Sequence, residues 1–196
     1  MQHYFLFFLL FVLVACSKTA RVDRLNEKGF RELFRQDKET AQKEGIYQRF
    51  GMDGVLLEEA TYLHDTLDGT RILFYRSGDT LLTESYRMGV FHGPFIAFYE
   101  NGVRELTGVY QENVMSGEWR RYYSSGKLME IVTFANNEEN GPFTEYYENG
   151  NLKASGNYLD GDKEHGLLLL YDERGTLIRK MNCDRGMCTT IWKTEE

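Results

Sequence analysis

The chain has 196 residues, room for one or two domains, with 19 glycines, 2 prolines, 13 tyrosines and 13 phenylalanines. Its 23 basic residues stand against 30 acidic ones, and the net charge of −7 excludes the basic stripe with which a nucleic-acid binder displaces counterions. The aromatic content argues against disorder. Three cysteines and four scattered histidines argue against a structural zinc site.

In chain order, Tyr4 to Ala15 is an unbroken apolar run of 12 residues. It is too short to span a bilayer, which takes about 20 residues, and has the length of a secretory signal peptide's apolar region. The run ends in Leu13-Val14-Ala15-Cys16, which resembles the bacterial lipobox. That resemblance implies cleavage after residue 15 and lipidation of Cys16 as the mature N-terminus. The n-region Met1-Gln2-His3 departs from the pattern in having no lysine or arginine. An uncleaved anchor or a plain secretory peptide is the alternative. Stable lipid anchoring takes two or more acyl chains, and lipoprotein maturation supplies several on one cysteine. By resemblance to enterobacterial sorting, Ser17 after the cysteine favours the outer membrane of a Gram-negative cell over the inner one.

Beyond the leader the chain is periodic. Glycines fall at 45, 69, 93, 117, 141 and 166, and again nine residues later at 54, 78, 102, 126, 150 and 175. Five residues after each first glycine stand Phe50, Phe74, Phe98, Tyr122, Tyr146 and Tyr171. Tyr75, Tyr99, Tyr123 and Tyr147 follow one residue later, and Tyr62, Tyr86, Tyr110, Phe134 and Tyr158 come seventeen after the first glycine. These columns hold 12 of the 19 glycines and 15 of the 21 tyrosines and phenylalanines beyond residue 16, so the grid organises the chain.

One unit reads Gly93-Pro94-Phe95-Ile96-Ala97-Phe98-Tyr99-Glu100-Asn101-Gly102. Its aromatic and β-branched run predicts a strand, and Asn101-Gly102 predicts a type I′ hairpin turn. A second strand is expected over Val103 to Tyr110, then a polar connection from Gln111 to Ser116. Both prolines, Pro94 and Pro142, directly follow a repeat glycine, where proline opens a strand without breaking a central ladder. Consecutive hairpins predict an antiparallel meander. One hairpin is marginal alone; stacked hairpins stabilise one another through cross-strand aromatic pairs.

The pattern Gly-x-x-x-x-aromatic-Tyr-x-x-Gly-x-Leu, followed by Tyr-x-x-Gly, resembles the bacterial MORN-type repeat, in the variant of YwqK-type antitoxin-like proteins and many lipoproteins. Tyr146-Tyr147-Glu148-Asn149-Gly150-Asn151-Leu152 fits best, continuing through Tyr158-Leu159-Asp160-Gly161. The first unit departs most, with Gly51 in place of the tyrosine. The resemblance spans about residues 45–182 and implies an all-β fold: a curved, elongated single-layer antiparallel β-meander of stacked hairpins. The expected organisation is a signal peptide over 1–15, a lipidated tether over 16–28 and a repeat domain over 29–196.

The ends leave the grid. Gly29-Phe30-Arg31-Glu32-Leu33-Phe34 reads like the first half of a unit and predicts an opening edge strand over 29–35; Val22, Leu25, Phe30, Leu33 and Phe34 also fit an amphipathic helix. Its charges would suit an exposed edge. At the other end Cys183 replaces the last aromatic, and Asp184-Arg185-Gly186-Met187 predicts a turn into a short strand over 188–192. Cys183 and Cys188 then face each other, and a disulfide is expected in an exported chain; a pair of half-buried thiols is the alternative. Their spacing is not that of a Cys-x-x-Cys redox motif.

No catalytic constellation stands out: the sequence has no nucleophile elbow and no phosphate-cradling glycine loop. His92 and His165 each precede a repeat glycine and read as strand-entrance residues. Asp160-Gly161-Asp162-Lys163-Glu164 lacks the spacing of a calcium loop. Glu58-Glu59 and Glu138-Glu139 are strand neighbours that face opposite ways. Alternation places Phe95, Ala97 and Tyr99 on one face and Phe98 on the other, so both faces are expected to be aromatic. A contiguous exposed aromatic patch marks an interaction site; the same rows also serve to hold hairpins together. The expected contact row is Tyr75, Tyr99, Tyr123 and Tyr147 with Trp119.

The expected function is that of a non-enzymatic interaction platform in a cell-envelope lipoprotein. Its partner would be another envelope protein or a peptide, its only membrane contact the N-terminal lipid, with no metal, cofactor or nucleic acid. The alternative is an antitoxin-like or immunity protein that binds an exported toxin.

Overall fold

The computed structural model describes residues 17–195; Tyr4–Ala15 and Cys16 lie outside them. Seventeen strands follow in order: β1 (Thr19–Leu25), β2 (Arg31–Asp37), β3 (Lys43–Phe50), β4 (Leu56–Leu63), β5 (Thr66–Phe74), β6 (Thr80–Arg87), β7 (Val90–Phe91), β8 (Gly93–Phe98), β9 (Arg104–Gln111), β10 (Val114–Met115), β11 (Gly117–Tyr122), β12 (Leu128–Ala135), β13 (Glu138–Tyr146), β14 (Leu152–Tyr158), β15 (Gly166–Tyr171), β16 (Leu177–Asp184) and β17 (Met187–Lys193). Neighbours in the chain pair antiparallel, from β1–β2 to β16–β17. β7 and β8 are two pieces of one strand beside β6, and β10 and β11 two pieces of one beside β9. The described chain is one open antiparallel sheet, the all-β meander that the glycine and aromatic grid implies.

Two turn types alternate. Tyr99 donates its backbone N–H to the carbonyl of Val103 at 2.8 Å, and Gly102 donates to the carbonyl of Tyr99 at 2.9 Å. Three residues therefore lie inside the loop, one more than a type I′ hairpin holds. Gly102 has φ +79° and Asn101 stays outside the left-handed region. The turn is thus type I followed by a left-handed glycine, which corrects the type I′ expectation. Asn101 Oδ1 braces it by accepting the N–H of Val103 at 3.1 Å. The type I′ pairs sit at the opposite ends of the strands, as at Glu112-Asn113 (φ 50° and 67°) and Asn136-Asn137 (φ 55° and 69°). Gly69, Gly93 and Gly141 of the first glycine column serve a third need, whereas a Cβ at Gly45, Gly117 or Gly166 would meet open space. Gly93 has φ +116°, and a Cβ there would stand 3.0 Å from Cβ of Ser85, so a bulged strand approaches its neighbour closely.

The N-terminal expectations need two corrections. Residues 19–25 are not tether: β1 pairs with β2 along its whole length, from Thr19↔Asp37 to Leu25↔Arg31. The strand expected over 29–35 exists as β2, but it is interior, flanked by β1 and β3. Asn26 N–H to Phe30 O and Gly29 N–H to Asn26 O, both 2.9 Å, reproduce the Tyr99–Val103 turn. Gly29 is therefore a turn glycine, not the opening glycine of a unit, and the meander begins one hairpin earlier than the grid. The adjacent opposite charges Asp23 and Arg31 pair in this hairpin at 2.6 Å. At the far end Cys183 and Cys188 are directly opposed on β16 and β17 and bonded, with S–S 2.00 Å.

A row of side chains on one face crosses the whole sheet. Its register runs Val22↔Phe34↔Tyr47↔Ala60↔Arg71↔Glu84, Phe95↔Gly108, Trp119↔Val132↔Phe143↔Gly156 and Leu168↔Met181. Large and small residues alternate at Tyr47/Ala60, Phe95/Gly108 and Phe143/Gly156. Trp119 is 1% exposed, packed among Phe95, Tyr110 and Phe134 with ring centroids 5.2 to 5.9 Å away. A Cβ on Gly108 would stand 2.1 Å from the indole. The apolar row divides into a cluster at Phe34, Tyr47 and Ala60 and a larger one from Trp119 to Cys183. Between them the row is ionic: Arg71 donates to Glu58 at 2.7 Å and to Glu84 at 3.1 Å, and Arg49 pairs with Glu58 at 2.9 Å. The opposite face carries exposed Ile46, Val109 and Leu167, so the expectation that both faces are aromatic is corrected. A register shift between Ala97 and Phe98 interrupts the simple alternation on which it rested.

Two substitutions test this reading by urea unfolding. Gly102→Ala meets open space and is expected to lose about 1 kcal/mol for its left-handed backbone alone. Gly108→Ala has no such backbone demand but strikes Trp119, and is expected to lose about 1–3 kcal/mol or more by overpacking.

Candidate functional site

The four tyrosines of the expected contact row are brought into line, but as staples between units. Tyr75 Oη donates to Phe98 O at 2.7 Å, Tyr99 Oη to Tyr122 O at 2.7 Å, Tyr123 Oη to Tyr146 O at 2.8 Å and Tyr147 Oη to Tyr171 O at 2.8 Å. Each bond ties a turn to the end of the strand 23 or 24 residues further on. The register shift before each aromatic pair turns the tyrosine toward the next unit instead of leaving it on the alternating face. Trp119 is not in this line. It lies in the buried central row, and burial removes it as a surface contact, because Gly108 opposite leaves the space that the indole fills.

What the tyrosine ladder borders is a groove over β11 to β15. A cavity of about 210 Å³ lies between Arg121, Tyr123, Glu130, Glu145 and Lys153. A second of about 300 Å³ shares Glu145 and Lys153 with it and extends past Tyr147 and Tyr158 to Ile178. A third of about 60 Å³ shares Arg121 and Glu130 with the first and reaches Trp119 and Glu139. Trp119 Nε1 is buried there with no hydrogen-bond partner.

The groove is electrostatically unbalanced. Lys153 Nζ pairs with Glu145 Oε2 at 2.7 Å, and this bond raises the ammonium's pKa. Burial pushes the Glu130 carboxyl up, with the Glu145 charge adding to it and Arg121 opposing it. Burial also raises Glu139, helped by Glu130 and Asp162. Tyr158 stacks on Phe143 at 4.1 Å between centroids, and burial followed by the surrounding carboxylates raises its hydroxyl far above the ordinary tyrosine value. Such a site can hold hydrogen-bond donors and cations against aromatic walls. Sequence reasoning passed over these charges because they sit singly within aromatic runs, as in Arg121-Tyr122-Tyr123 and Glu145-Tyr146-Tyr147. The register alone brings Glu130 opposite both Arg121 and Glu145.

The other flagged residues do not join it. His92 and His165 sit at strand entrances, where their N–H groups donate to Ser85 O and Asn157 O at 2.9 and 2.8 Å. Glu58 is buried with its arginines while Glu59 accepts from Gln48 at 2.8 Å on the other face. Asp160 and Gly161 both have left-handed φ, in a loop closed by the N–H of Leu159 donating to the carbonyl of Lys163 at 2.9 Å. Among the described residues no group of three or more His, Cys, Asp or Glu could hold a metal ion.

The unit that builds the groove is also the one that matches a known family model. Residues 115–136 and 139–160, spanning β10–β12 and β13–β14, match the model described as the MORN repeat variant. The repeat is MORN-like. No curated protein matches the chain. The two matched stretches are consecutive MORN-like units; Tyr123 joins the first to the second, and Tyr147 ties the second to the next strand, β15.

Tyr123→Phe is expected to lose about 1 kcal/mol of stability with the fold intact, read from the urea midpoint. The sign for Glu130 is the reverse. Its raised pKa means that the neutral carboxyl is favoured by folding. That stability is present at pH values below the ordinary carboxylate range and is lost as pH rises through the raised value. Glu130→Gln should therefore melt above wild type at neutral pH, with the gap closing in acid.

Proposed function

We propose that the chain is a cell-envelope lipoprotein, anchored through Cys16 and by the lipobox resemblance directed to the outer membrane. Its MORN-like sheet is a non-enzymatic platform for a peptide segment of another envelope protein. The observation that supports this most is the β11–β15 groove, where half-buried aromatics and uncompensated carboxylates share a concavity beside a rigid ladder. A partner segment rich in donors or cations relieves the desolvated carboxylates and covers the rings. The tyrosines contribute by fixing the groove's wall, so partner contact passes to Arg121, Glu145, Lys153 and Tyr158.

In intact cells, a photo-crosslinking residue at position 153 should capture a discrete partner, and one at Val109 on the opposite face should not. Glu145→Lys should reduce that capture several-fold. Equal capture from both faces, or none from 153, contradicts the platform reading; an exported toxin as the captured species would make the protein an immunity factor. Mass spectrometry of the mature N-terminus tests the anchor separately: an acylated Cys16 is expected, and an unmodified or uncleaved N-terminus contradicts it.

A further inference from the structure

The charge of the chain is divided sharply along its length. Residues 17–38, the β1–β2 hairpin with its flanks, hold seven basic residues against four acidic ones, while the chain from 39 onward holds 16 against 26. All seven, Lys18, Arg21, Arg24, Lys28, Arg31, Arg35 and Lys38, are exposed. Two of the four acids are already committed: Glu32 is buried and accepts from Arg24 at 3.0 Å, and Asp23 holds Arg31 at 2.6 Å. Asp37 is turned into its own loop, accepting the N–H groups of Glu39 and Thr40 at 2.8 and 2.9 Å.

The end of the hairpin nearest residue 16 is the least neutralised. Arg21 and Arg35 stand directly opposite each other in the ladder, a like-charge pairing that destabilises a sheet unless an anion joins it. Arg35 is held only by neutral groups, donating to Thr19 Oγ1 at 2.8 Å and Ser17 Oγ at 3.2 Å. Lys38 donates to the carbonyl of Ser17 at 2.7 Å, and its N–H reaches Lys18 O. Four cations thus share one outward edge with no acidic side chain bonded to any of them among the described residues. Guanidinium pairs of this kind bind phosphate oxygens.

We infer that this edge is a basic foot that seats on the phosphate headgroups of an anionic phospholipid leaflet, setting the sheet upright on the membrane with its acidic remainder repelled from it. Ser17 follows directly on the proposed anchor, so the inference rests on the lipoprotein reading for its setting, not for its chemistry. Clustered basic residues beside a membrane attachment are attracted to anionic lipid, and the attraction falls within a Debye length.

The test uses residues 17–196, which contain every described strand and both apolar clusters, and which lack Cys16. Co-sedimentation compares vesicles of phosphatidylcholine with vesicles in which one-third is phosphatidylglycerol. Expected is binding to the anionic vesicles at least about tenfold stronger, lost in high salt and weakened about tenfold or more by Arg21→Gln with Arg35→Gln. That double variant should unfold no more easily than wild type, since it removes a like-charge pair. Replacing exposed Arg104 and Lys127 by glutamine should leave binding unchanged. Equal binding to both vesicle types, loss of binding in the Arg104/Lys127 variant, or abolition by millimolar inorganic phosphate would overturn the inference. None of these results bears on acylation, which the mass of the mature N-terminus decides by itself.

Discussion

A single sheet has no second layer to cover its side chains, and that constraint shapes everything else in this protein. The solution is a central row in which large side chains lie over small ones on the next strand. Trp119 over Gly108 is the extreme case, with Phe143 over Gly156 beside it. Neither glycine has a left-handed backbone; each is needed for the volume it does not occupy. The row buries an indole to 1% exposure inside one layer, which a flat, evenly sized sheet face could not do. Where the row turns ionic, at Glu58, Arg71 and Glu84, each carboxylate is matched by a guanidinium, as buried charge requires.

The row also explains why function and stability occupy different residues. Aromatic rings are spent on closing the sheet and tyrosine hydroxyls on joining units, so neither set is free to recognise a partner as a whole. What remains is the strip between them. There, charged residues on successive strands, Arg121, Glu130, Glu145 and Lys153, are too far from the central row to be buried and too close to the ladder to be fully solvated. Part of the folding free energy is given up in the raised Glu130 carboxyl, the kind of local compromise that binding sites show.

Much of the fold was legible in the sequence because the turn within each hairpin takes a left-handed glycine and each hairpin repeats. The 24-residue grid located the strands, and Cys183 opposite Cys188 followed from hairpin register. Turn type was misjudged because Asn-Gly is a dipeptide signal, whereas the register shift before it adds a residue that only the pairing reveals. The first hairpin was missed as part of the sheet because Asn26 takes the tyrosine's place at its turn, so no aromatic marks it. Trp119 was read as surface because it shares the parity of Phe95 and Ala97; only the empty position at Gly108 shows where the ring goes. The groove was illegible for the same reason: its charges meet across strands, and no sequence interval records that meeting.

The burial of Trp119 by its own sheet is most directly measured by tryptophan quenching. In protein carrying Trp192→Phe, which leaves Trp119 as the sole tryptophan, a self-covering sheet requires blue-shifted emission that iodide barely quenches until urea unfolds the chain. Red-shifted emission, readily quenched in the folded protein, would contradict a central row that closes over itself.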